Sequence, residues 1–138
     1  MATETVKLNY HPNWLRFMYV ANIFMAGGFG LAFLIAPSAV ASAGIGGPVE
    51  ESLWAAGYTY SSMVALAVCA ALGLRSPLKF SATLLVQAAT KIIWTLAISV
   101  PRLAGGSLPS WAIGMTALFV VWAVGDIIAI PWRHFLTK

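Results

Sequence analysis

Lys91 and Asp126 stand inside long apolar runs, the most costly surroundings for a charge in a chain of this kind. An ammonium and a carboxylate so placed could serve as acid, base or electrostatic stabiliser. They could also bind the polar end of a lipophilic molecule, or hold helices together. Lys91 belongs to a period-four series, Thr83, Gln87, Lys91, Thr95 and Ser99, that draws a polar stripe down one side of an otherwise apolar helix. Trp122 lies one turn before Asp126. Asn22, in the first apolar run, matches Asp126 and Gln87 in depth, and Trp94 follows Lys91 by three residues. Tyr58 and Tyr60 lie at the level that Lys91 approaches if its side chain extends outward. The candidate ligand-binding set is therefore Gln87, Lys91, Trp94, Tyr58, Tyr60, Asn22, Trp122 and Asp126, and the candidate catalytic groups are Lys91 and Asp126.

A polar stripe facing lipid is costly, so the third run is expected to turn it inward. For Thr83, Thr95 and Ser99 the plainer explanation is interhelical or own-backbone hydrogen bonding. For Asp126 it is a carboxylate near the interface held by Asn22, Arg16 or water. Helical rise puts Lys91 about 18 Å from the cytoplasmic start of its run and Asp126 about 8 Å from the cytoplasmic end of its own. That offset, roughly 10 Å, predicts two linked polar clusters rather than one tight ion pair.

The elements that must position these groups are membrane spans. Of 138 residues, 60% are hydrophobic and 9% charged, with mean hydropathy +0.85. A soluble domain carries about 25% charged residues. Four stretches reach the ~20 residues a helix needs to cross a bilayer: 14–36, 52–73, 80–100 and 110–131. Breakers separate them: Pro37 with the Gly-rich stretch to Pro48, then Arg75-Ser76-Pro77, then Pro101, Gly105-Gly106 and Pro109. The expected fold is all-α, a single domain over 1–138 forming a four-transmembrane-helix up-down-up-down bundle. Lys7 with Arg16, and Ala39-Val40-Ala41, also fit a cleavable signal peptide. The long polar leader and span-length run favour retention.

Basic residues set the orientation. Lys7, Arg16, Arg75, Lys79, Arg133 and Lys138 fall on one side of an alternating chain, and Arg102 with Glu50 and Glu51 on the other. Both termini are expected in the cytoplasm, in a bacterial inner membrane. Trp14, Trp54, Trp111 and Trp132 sit near predicted interfaces as anchors. Close helix contact is expected along Gly57, Ser61, Ala65, Cys69 and Gly73, and along Asn22, Ala26 and Gly30.

Several chemistries lose support. The single cysteine, Cys69, forms no internal disulfide or CxxC pair. His11 and His134 fall outside the spans, which disfavours haem ligation, and no metal site is expected. Glu50-Glu51 reads as a solvated loop pair, and Gly27-Gly28-Phe29-Gly30 lies in a span rather than in a phosphate loop. The net charge of +4 follows from bases flanking the spans, so no nucleic-acid partner is expected.

The run Leu85-Val86-Gln87-Ala88-Ala89-Thr90-Lys91-Ile92-Ile93-Trp94, followed by Pro101, a Gly-rich turn with Pro109, then Asp126 and Pro131-Trp132, resembles small bacterial DoxX-like membrane proteins. The resemblance covers spans two to four. It implies a four-helix fold and, for some relatives, association with respiratory oxidases or thiol stress. The Gly-Lys feature those proteins carry after the first helix is not present, and no catalytic residue is carried over.

Three functional expectations follow. The first is a self-associating or accessory membrane subunit with membrane lipid, or a quinone or other lipophilic molecule, in its grooves, as a homo-oligomer or in a larger membrane complex. The second is a small membrane enzyme acting on a lipophilic substrate through Lys91 and Asp126. The third is an oligomeric proton- or ion-coupled transporter. The sequence leaves the cofactor open.

Overall fold

A computed structural model of the chain describes residues 10–42 and 53–136, with side chains at 41–42 and 53–56 left aside. The described residues are helical apart from turns. We number the helices α1 (Pro12–Ile35), α2 (Pro37–Ser42), α3 (Leu53–Arg75), α4 (Ala82–Ala104), α5 (Ser110–Ala129) and α6 (Trp132–Leu136). Among the described residues, four helices are long and apolar enough to cross a membrane: α1, α3 over Gly57–Arg75, α4 and α5. The expected Gly-rich connection after α2 and the Glu50-Glu51 pair lie outside the described residues.

The helix boundaries follow local chemistry. Pro12 occupies the first turn of α1, where its missing N–H costs nothing. Ala36 precedes a proline and leaves the helical region, with φ −140° and ψ 61°, which ends α1 and lets Pro37 open α2. Pro109, extended at ψ 149°, precedes α5, and Ile130, before Pro131, is extended at its end. Gly106 takes φ +67° in the turn between α4 and α5, a conformation open to glycine at little cost.

Pro101 does not end the third span as its position predicts. The helix runs through it to Ala104 by way of a π-helical turn, Thr95–Ser99. A second π turn, Ile23–Gly27, interrupts α1. These wider turns rotate the helix face. Four residues of α-helix advance about 400°, so a strict period-four series drifts by about 40° per step. A π turn spends an extra residue and rotates the series back. Gln87 and Lys91 are therefore buried on α4 together with Ser99 at the end of the π turn, and Asn22, Ala26 and Gly30 are all buried on α1.

Helix α3 has no such correction, and the expected ridge there fails. Ser61 and Ala65 are exposed, because the series from Gly57 to Gly73 winds about 160° around the helix. The face packed on α1 instead carries Tyr60, Val64, Ala67, Ala70 and Gly73. A Cβ on Gly30 would sit 2.9 Å from the Tyr60 carbonyl oxygen and 2.8 Å from a Val64 methyl. A Cβ on Gly73 would sit 2.6 Å from the Tyr19 ring. Contacts run in opposite order along the two helices, Gly30 against Tyr60, Gly27 against Ala67 and Tyr19 against Gly73. The pair α4–α5 shows the same order, with Ser99 Oγ 2.9 Å from Thr116 Oγ1 and Lys91 on Asp126. Lighter contacts of α1 with α5 and of α3 with α4 complete the bundle.

One end of the bundle is tightly filled by Leu15, Met18, Tyr19, Ala70, Leu84, Ala129 and Ile130. The Tyr19 hydroxyl donates to the Pro77 carbonyl at 2.6 Å and fastens the α3–α4 turn to α1. Many large apolar side chains, among them Phe24, Ile35, Ile93 and Val121, point outward. Water penalises such a surface and hydrocarbon does not.

Candidate functional site

Above that filled end, α1, α4 and α5 bring four polar residues together. The Lys91 ammonium donates to Asp126 Oδ2 at 3.2 Å, to Gln87 Oε1 at 2.8 Å and to the Gln87 carbonyl at 3.2 Å. Three acceptors match its three N–H groups. Asn22 Nδ2 donates to Asp126 Oδ1 at 2.8 Å and to the Met18 carbonyl at 2.9 Å. The Trp122 indole N–H donates to Asn22 Oδ1 at 3.1 Å. Asn22, Gln87 and Asp126 are 1%, 5% and 0% exposed. Each carboxylate oxygen thus has a donor, which a buried carboxylate requires.

The direct ion pair, at 3.2 Å, corrects the expectation of two linked clusters rather than one tight ion pair. Side chains on an α-helix tilt toward the helix N-terminus. Contacts along α4 and α5 run in opposite order, so Lys91 leans back toward Gln87 while Asp126 leans the other way, and the two converge. The offset of roughly 10 Å, counted on Cα rise, ignores this tilt. Lys91 extends toward its own helix start, away from the Tyr58 level.

Lys91 and Gln87 line one end of a cavity of about 320 Å³ that touches all four long helices. Asn22 and Trp122 belong to the same end, and Asp126 stands behind Lys91, outside the lining. The walls are apolar, formed chiefly by methionine and aromatic side chains, with Phe33, Tyr60 and Trp111 toward the far end. From Asn22 to Phe33, and from Trp122 to Trp111, the cavity follows eleven residues of helix, roughly 16 Å. Phe33 and Tyr60 stack with ring centroids 3.9 Å apart, and Trp94 meets Phe119 edge-on at 5.0 Å.

Of the candidate ligand-binding residues, Asn22, Tyr60, Gln87, Lys91, Trp94 and Trp122 line this cavity. Tyr58 does not; it is 79% exposed, because two residues of helix turn it about 200° away from Tyr60. Trp111, expected as an interface anchor, lines the cavity, while Trp14 donates to the Gly125 carbonyl at 3.1 Å. Met25, Phe29 and Phe33 on α1 and Met115 and Phe119 on α5, in line with Trp111, also line the cavity and are absent from the sequence candidates. Their period-four spacing was a usable signal, lost among many apolar residues of similar kind. His11 and His134 are exposed outside the spans, and no group of three or more His, Cys, Asp or Glu suited to a metal occurs among the described residues.

Chemically, the ion pair is engaged on every side, whereas one amide group beside it is not. Gln87 Nε2 is buried and has no hydrogen-bond partner among the described residues. The arrangement suits a molecule with an apolar body and a small polar end. Compared with protein-family models, curated proteins and solved structures, the chain matches none.

Proposed function

We propose that the protein is a small integral membrane protein that holds one lipophilic molecule in its central cavity, acting as an accessory or self-associating subunit. The observation that carries this reading is the cavity of about 320 Å³, walled by Met and aromatic side chains and closed at one end by Gln87 and Lys91. Ligand sites have this composition, mostly apolar walls with a few placed polar groups. At about 30 Å³ per water-sized volume, the space suits on the order of ten heavy atoms. That is the size of a quinone ring system or the head of a lipid, with a tail leaving toward the acyl chains.

A binding role is favoured over catalysis because the Lys91 N–H groups meet three acceptors, at 2.8–3.2 Å. The reading includes an up-down-up-down bundle with both termini in the cytoplasm of a bacterial inner membrane. Its support is the opposed contact order within the α1–α3 and α4–α5 pairs and the bias of Lys and Arg toward one side. The four-helix architecture is compatible with the DoxX-like resemblance, and no part of the binding argument depends on it.

The test is tryptophan fluorescence of the protein in lipid nanodiscs, since Trp94, Trp111 and Trp122 all line the cavity. Titration with a short-tailed quinone or a bromine-labelled lipid should give saturable quenching. Met115→Trp, which fills the cavity, should abolish the saturable component. Quenching that rises linearly with the probe and is equal in the two proteins overturns the proposal.

A further inference from the structure

We infer that the occupant of the cavity is a tailed lipid of the bilayer, which enters sideways and leaves its chain lying in the seam between α3 and α4. This rests on the binding role proposed above and deepens it, by naming the class of ligand and the side from which it comes. The seam widens with distance from the turn that joins the two helices. Along α3, Ala70 is 0% exposed in the filled end, Met63 is half-buried and Thr59 is exposed. Steps of seven and four residues keep these three on one side of the helix. Along α4, Thr83 is 8% exposed, and Thr90, seven residues on and on the same side, is exposed. Met63, Thr59 and Thr90 all line the cavity. Every lining residue that α1 and α5 supply is buried or half-buried, so the exposed rim belongs to α3 and α4. The opposite seam is tied shut near the polar end, where Asn22 of α1 bonds both Asp126 and Trp122 of α5.

Depth decides what the rim meets. Thr90 lies eight residues into α4, roughly 12 Å, and Thr59 sixteen residues before the end of α3, roughly 24 Å, in a hydrocarbon layer of about 30 Å. The rim therefore opens onto acyl chains, in the half of the membrane away from the filled end. At the far end of the cavity the Phe33 and Tyr60 rings stack at 3.9 Å, with Phe33 only 7% exposed. A molecule dissolved in water would have to enter the bilayer before it reached the rim. A lipid is already there, and its chain passes into the seam without leaving apolar surroundings. The space within holds on the order of ten heavy atoms. A membrane lipid is larger than that, so its chain must remain outside. Val86 and Ile93, 48% and 65% exposed and within one turn of Thr90, offer that chain an apolar flank. Quinones with a hydrocarbon tail and acyl esters of glycerol share this chemistry.

The experiment uses the full chain in lipid nanodiscs and two photoreactive probes, each with a diazirine midway along a ten-carbon tail. One carries a 2,3-dimethoxy-5-methyl-1,4-benzoquinone head and the other a monoacylglycerol head. After illumination the adducts are mapped by mass spectrometry, with and without an excess of the same molecule lacking the diazirine. Adducts that the competitor suppresses report a bound tail, and those it leaves unchanged report ordinary contact with lipid. Suppressed adducts should fall on residues 59–66 of α3 and 86–94 of α4, several-fold above any on α1 or α5. The probe with the larger suppressed fraction identifies the head, quinone or ester. Suppressed adducts on α1 and α5 in place of α3 and α4 overturn the seam and leave the cavity reading standing. The absence of suppressed adducts at every position, from both probes, overturns the cavity reading itself.

Discussion

Lys91→Met, Asp126→Leu and the double substitution form a cycle that asks whether the buried network is one energetic unit. Lys91→Met keeps an unbranched side chain and removes the ammonium. Asp126, 0% exposed, then keeps the Asn22 amide, at 2.8 Å, as its side-chain donor among the described residues. Removing one member of a buried pair costs about 3–5 kcal/mol, since the other charge stays buried and uncompensated. Asp126→Leu alone strands the ammonium against the two Gln87 oxygens and costs a similar amount. Replacing both charges with apolar groups removes that penalty, and such replacements are often near neutral. The two single losses should therefore exceed the double loss by about 3 kcal/mol or more. An exposed pair would give about 0.2–1 kcal/mol. Neutral interhelical hydrogen bonds in membrane proteins average about 0.6 kcal/mol, because unfolded helices find other partners. A value well above that average would distinguish a charge pair from ordinary polar packing. The assay is reversible unfolding in mixed micelles by titration with sodium dodecyl sulfate, followed by far-ultraviolet circular dichroism. Single losses that add to the double within about 0.5 kcal/mol refute the reasoning.

Gly30→Ala should lower stability by about 1–3 kcal/mol, because its methyl meets the Tyr60 backbone at 2.9 Å and α1 must move off α3. Gly28→Ala, with nothing within 4 Å of the new carbon, should cost nothing in the same detergent titration. Trp122→Phe should cost about 1–3 kcal/mol by leaving Asn22 Oδ1 buried without its indole donor, measured in the same detergent titration. For orientation, single cysteines at Ser76 and Ser107 in a Cys69→Ala background should react with an impermeant maleimide from opposite sides of the membrane, Ser76 from the cytoplasm. Labelling of both from one side would refute the alternating topology.

Four spans were legible from composition alone, because burial in hydrocarbon depends on the average of ~20 residues and tolerates errors at the ends. The predicted limits and the observed helices differ by no more than two residues at most ends; the largest difference is at the end of the third span, where the helix takes a π turn at Thr95–Ser99 and continues through Pro101 to Ala104. Inward placement of Gln87 and Lys91 was also legible, since a polar stripe has nowhere else to go. Tertiary structure decided which atoms meet. Counting rise per residue separated Lys91 from Asp126, and the tilt of side chains on oppositely ordered helices joined them at 3.2 Å. The same counting placed Tyr58 with Tyr60, and helix rotation sent one outward and the other into the cavity. The π turns in α1 and α4 and the cavity itself have no signature in local composition. They arise when four helices settle their rotations against one another, and that adjustment belongs to the packed bundle rather than to any one segment.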